Sequence, residues 1–62
     1  MFITLFSKFR GCDVRFQVNH IARYWRQYDG ITVLVLSDGQ RVEVRETVEQ
    51  IDAKITAALR QF

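Results

Sequence analysis

Sixty-two residues with a net charge of +2, one cysteine, one histidine and no proline describe one small domain. A single cysteine excludes an internal disulfide, and one cysteine with one histidine cannot complete a four-ligand structural zinc site. The longest unbroken apolar run, residues 33–36, is far too short to cross a membrane. A chain of this size buries only about 60% of its unfolded surface, so self-association is the expected supplement to its core. The N-terminus MFITLF lacks the basic segment and small-residue cleavage site of a signal peptide, and with one cysteine this predicts a cytoplasmic protein.

In chain order, residues 2–6 form a short apolar run and a first strand. Residues 7–13 (SKFRGCD) read as a loop, with Phe9 as a flap over the core or, alternatively, an exposed contact. Val14, Phe16 and Val18 alternate with Arg15 and Gln17, the period of a half-buried strand. Asn19 and His20 both tolerate left-handed backbone and predict a tight turn. Residues 21–28 (IARYWRQY) give a third strand with aromatics and arginines interleaved. Asp29-Gly30 and Asp38-Gly39 each stand between β-type runs and predict two-residue hairpin turns with positive φ at both central residues. Thr47 with Gln50 three residues later predicts a capping box. Val48, Ile51, Ile55, Ala58, Leu59 and Phe62 then recur at helical spacing as one apolar stripe.

Two-residue turns fix register, and register fixes faces. They set Val35 opposite Val42, Val33 opposite Val44, and Trp25 opposite Leu34. Ala22, Tyr24, Val33, Val35, Val42 and Val44 then share the face toward the helix. Trp25, Leu34 and Leu36 lie on the other face among Arg23, Arg41, Glu43 and Arg45. Leu5, Phe6 and Val14 belong to the core, while the face taken by the second strand depends on the turn at Asn19-His20. Apolar residues on both faces require the sheet to coil into a partial barrel or to pack against another subunit.

No catalytic set stands out. Cys12 and His20 lack a third orienting group, the three glycines each serve a turn, and Glu49 and Asp52 suit the positive end of the helix. Charge is uneven: five bases face one acid up to Tyr28, and four bases face six acids from Asp29 onward. Such polarity steers an anionic partner or drives head-to-tail pairing of subunits. Arg23-Tyr24-Trp25-Arg26 is the sharpest feature, since aromatics beside arginines suit both base stacking and protein interfaces.

Asn19, Ile21, Asp38-Gly39, Val44, Glu46 and Thr47 fall in an order that resembles the FlbD-type family of small flagellar proteins. The strand, hairpin and helix order of residues 31–55 is also similar to the strand-rich part of LytTR DNA-binding domains, and to small phage and prophage proteins. These resemblances imply regulation, flagellar in the first case and DNA-directed in the second.

The sequence therefore predicts an α+β fold of residues 1–62: an antiparallel meander of about five strands, open or coiled into a partial barrel, with one C-terminal helix. It predicts a protein that is not an enzyme and holds no cofactor or metal. The expected role is a binding or regulatory module, phage-like in character, that forms a homo-oligomer and engages a macromolecular partner. Arg23, Trp25, Arg26, Leu34, Leu36, Arg41 and Arg45 are its candidate interface residues. Two alternatives stand beside it: a nucleic-acid binder using residues 23–26, and a small-ligand sequestering protein with a pocket between subunits.

Overall fold

The computed structural model describes residues 1–60. Strands β1 (Phe2–Ser7), β2 (Cys12–Gln17), β3 (Ile21–Arg26), β4 (Thr32–Leu36) and β5 (Arg41–Val44) form one antiparallel sheet, followed by helix α1 (Val48–Leu59). The α+β class matches expectation, but the strand order is β2-β1-β5-β4-β3 and not a meander. The reason lies between β2 and β3. The expected tight turn at Asn19-His20 is a 3-10 turn, Val18–His20, and only glycines adopt positive φ among the described residues. This connection spans roughly 6 Å, yet it joins the two opposite edges of the sheet. The sheet therefore coils until its edges approach there, and it stays unclosed. The Val18 N–H donates to the Met1 carbonyl (2.9 Å) and the Ser37 N–H donates to the His20 carbonyl (2.7 Å), tying the connection to both halves of the sheet.

Both Asp-Gly hairpins form, each with one more loop residue than expected. In the β4–β5 loop, Leu36 N–H donates to the Gln40 carbonyl and Gly39 N–H to the Leu36 carbonyl, leaving Ser37, Asp38 and Gly39 as a three-residue loop. Gly39 alone takes the left-handed position, at φ +90°. The β3–β4 loop repeats the pattern with Tyr28, Asp29 and Gly30, and Gly30 at φ +86°. In each loop the aspartate carboxylate accepts the backbone N–H two residues on, at 2.9 Å for Asp38 and 3.1 Å for Asp29. The aspartates thus act as acceptors that brace the loop, and a type I turn followed by a left-handed glycine replaces the expected type I′ turn.

The extra residue shifts both registers by one. Leu34 faces Val42 and Tyr24, while Val33 faces Glu43 and Trp25. Two shifts of one leave β3 and β5 with the expected faces and turn β4 over. Leu34 is fully buried in the core and Leu36 packs against it, so both leucines leave the outer face where the sequence put them. Val33 and Val35 take their place. A bulge at Ala22 then lets Ile21 point inward beside Leu36, although Arg23 points outward.

The core gathers Ile3, Leu5, Phe16, Leu34, Val44 and Ile51, with Val14, Val18, Tyr24, Val42 and Ile55 around them. The second strand thereby settles on the helix side. Phe6 does not join it: β1 turns Ile3, Leu5 and Ser7 inward and Phe6 outward. Phe9 is 95% exposed, so the loop is no flap. In α1 the capping box is complete: Thr47 Oγ accepts the Gln50 N–H (3.1 Å) and Gln50 Oε1 accepts the Thr47 N–H (2.9 Å). Ile51, Ile55 and Ala58 face the sheet, whereas Leu59 is 56% exposed and leaves the predicted stripe. Phe62 lies outside the described residues.

The Tyr24 hydroxyl donates to the Asp52 carboxylate, joining β3 to the helix. That hydrogen bond, then partial burial, then the carboxylate's charge push the Tyr24 phenol from 10.0 up to about 12. The shift favours the neutral phenol in the fold, so its stabilisation is complete below pH 10 and disappears as pH rises through about 12. Absorbance titration of the folded protein is expected to show one tyrosine ionising near pH 12, and Tyr24→Phe to remove that step. Persistence of the step in Tyr24→Phe would show that the clasp is absent. Urea unfolding tests the core separately. Ile51→Ala is expected to cost about 2–5 kcal/mol, since the side chain is fully buried, and Thr47→Ala about 1 kcal/mol.

A guanidinium-capped aromatic face and a basic groove

Strand alternation sends one set of side chains to the outer face of the coiled sheet. From β1 come Phe2, Thr4 and Phe6, and from β2 their partners Gln17, Arg15 and Asp13. From β5 come Arg41 and Glu43, with Arg45 one residue past its end, from β4 Val33 and Val35, and from β3 Arg23 and Trp25. Four arginines thus share this face with two carboxylates. Every aromatic ring on it carries a guanidinium. Arg15 lies 4.9 Å from the Phe2 ring centre and Arg45 3.6 Å from that of Phe6. Arg23 and Arg41 flank Trp25 at 5.3 and 5.5 Å. Such contacts contribute about 0.5–1 kcal/mol each at exposed sites. They also hold the arginines in place, which lowers the entropy a partner must remove when it binds.

The predicted interface residues separate. Arg23, Trp25, Arg41 and Arg45 meet on the outer face as expected. Leu34 and Leu36 do not, because β4 is turned over. Arg26 alternates to the opposite side from Trp25 and is exposed, with its guanidinium beside the β3–β4 loop at Gly30. Phe2, Phe6 and Arg15 belong to the face and escape sequence reasoning. The alternation F-I-T-L-F in β1 carries the signal, but only the pairing of β1 with β5 says which half of it points out.

That pairing rests on an unusual contact. Ser7 stands opposite Val44, and the Arg45 N–H donates to the Phe6 carbonyl (3.0 Å). One residue further the chain leaves the sheet for the helix. The Glu46 carboxylate takes over, accepting the Phe6 N–H through both oxygens at 2.9 and 3.1 Å. A side chain thereby extends the ladder by one step where the backbone has turned away.

A groove of about 780 Å³, lined by residues of both faces, opens between the β1–β2 hairpin and the β4–β5 hairpin. Val14, Phe16, Leu36 and Val42 form its apolar floor. Lys8, Arg10, Arg15 and Arg41 stand around it against Glu43, and the exposed Phe9 also borders it. Cys12 is a free, exposed thiol at the start of β2, and His20 ends the 3-10 turn beyond it. The strand between them spans roughly 16 Å. Among the described residues no three His, Cys, Asp or Glu side chains cluster as a metal site requires, and no helix is long and apolar enough to cross a membrane.

Comparison with family models, with curated proteins and with solved structures finds no match to this chain. The fold and its two surfaces therefore define the molecule: a small α+β module with one coiled, open antiparallel sheet. Glu46→Ala is expected to cost about 1.5–3 kcal/mol, the range for a hydrogen bond to a charged group. Amide exchange at Phe6 should accelerate in this variant more than exchange at the core amides of β4. Unchanged exchange at Phe6 would mean that the carboxylate does not hold the junction.

Proposed function

We propose that this protein is a small non-catalytic binding module of the cytoplasm whose outer sheet face takes single-stranded nucleic acid. One observation carries the reading: each aromatic ring on that face lies under an arginine, so the same spots offer π-surfaces and positive charge. Bases stack on aromatic rings and on guanidinium planes, and sheet faces built this way serve as platforms for unpaired strands. Four arginines against two carboxylates supply the phosphate attraction. Leu34, in the core, and Leu36, packed against it on the inner side, no longer favour pairing of two copies through this face, which offers capped aromatics. The free exposed thiol of Cys12 suits a reducing compartment. Self-association is a second reading, favoured by the unpaired edges of β2 and β3. Light scattering separates it, because a monomer at tens of micromolar excludes it.

Anisotropy titration with labelled single-stranded oligonucleotides across a salt series tests the first reading. Affinity is expected to fall with a log–log slope of about −0.7 per phosphate contacted, and Arg23→Gln with Arg41→Gln should make that slope shallower by about 1.4. Trp25→Leu should weaken binding about tenfold, within the range for loss of one stacked base. Absence of binding at low salt removes the reading. Binding that ignores all three substitutions removes its assignment to this face.

A further inference from the structure

The groove touches residues 14–17 of β2, four in succession. Successive strand residues point to opposite faces, so a cavity in contact with all four runs along the strand's edge. On that side β2 has no neighbouring strand, since β1 occupies the other. Its outward N–H and C=O groups are therefore open to a partner. The two edges of the sheet differ in this respect. β3 carries the bulge at Ala22, which disrupts regular pairing. β2 pairs with β1 through six successive partners, Phe2 with Gln17 to Ser7 with Cys12, without a bulge, and the chain has no proline to block its edge. The straight, unguarded edge is the one beside the groove.

We infer that the groove binds an extended acidic peptide, which adds to β2 as a sixth strand. Its backbone pairs with the open β2 edge. Every second side chain, apolar, rests on Phe16, Leu36 and Val42, and the intervening carboxylates meet Lys8, Arg10, Arg15 and Arg41. Strand addition of this kind draws affinity from main-chain hydrogen bonds and selectivity from pockets for alternate side chains. Charge selects the acidic class: four cations and one carboxylate surround the groove. The six residues of β2 set the length of the paired segment at about six residues. The groove and the outer face share Arg15 and Arg41, whereas the apolar floor belongs to the inner side of the sheet and Lys8 and Arg10 to the groove alone.

A labelled, end-capped heptapeptide alternating glutamate and valine is the probe, with the intact protein and anisotropy as readout. Two controls carry the same pattern: one with lysine for glutamate, and one N-methylated at every residue to remove all of its backbone donors. The acidic peptide is expected to bind, and both controls to bind at least about tenfold more weakly. Lys8→Gln with Arg10→Gln should weaken peptide binding at least about tenfold and, since both residues lie outside the outer face, weaken oligonucleotide binding much less. Arg23→Gln with Trp25→Leu should do the reverse. No binding of the acidic peptide overturns the inference. So does equal binding of the N-methylated peptide, which would mean adsorption by charge alone. Doubling of the protein's mass with no effect of the peptide on it also overturns the inference, because a second copy would then hold the edge.

Discussion

The junction of β1 with β5 is the constraint on which the rest of this structure depends. The β1–β2 hairpin and the β3–β4–β5 unit are separate antiparallel pieces until Ser7 meets Val44 and the Glu46 carboxylate receives the Phe6 N–H. Once they are joined, the short 3-10 connection from β2 to β3 forces the sheet to coil, because it links the two outer edges. Coiling brings Ile3, Leu5 and Phe16 to the same interior as Leu34 and Val44, and α1 closes that interior with Ile51. A chain of 62 residues has little apolar surface to spare, and the coil lets one helix and one sheet share a single core.

The same coil determines what is left outside. An inner face cannot be covered along its whole length by a helix of twelve residues, and the part beyond it remains as the groove with a floor of Phe16, Leu36 and Val42. Among the described residues the helix packs on the inner side and not on the outer face, where Val33 is nonetheless buried among its neighbours. The aromatics of the outer face are shielded by arginines from neighbouring strands, Arg15 over Phe2, Arg45 over Phe6, and Arg23 with Arg41 at Trp25. Guanidinium groups keep these rings from forming a bare apolar patch while leaving charge and planar surface available to a ligand. Arg15 and Arg41 serve both surfaces, standing on the outer face and at the rim of the groove.

Much of this was legible in the chain because it is local. The capping box at Thr47 and Gln50, the inward period of Ile51 and Ile55, and the two Asp-Gly hairpins follow from neighbours within four residues. The outward placement of Arg23 and Trp25 also follows from the sequence, since two register shifts cancel across β4. One added loop residue was enough to misplace Leu34 and Leu36. Asp-Gly permits both loop types, and the choice is made by Asp38 and Asp29 accepting an N–H two residues on, with only the glycine left-handed.

By itself the sequence determined the class of fold, the number and type of elements and the cap of the helix, because propensity, periodicity and turn chemistry act over short separations. Only the tertiary structure decided the strand order, the face of β4 and the membership of Phe2, Phe6 and Arg15 in the outer surface. Those depend on contacts between residues some forty apart, such as Phe6 with Glu46, whose energy is gained only after the chain has closed a long loop. No local pattern records such a contact, and so the surfaces that carry the proposed activities emerged only with the coiled sheet.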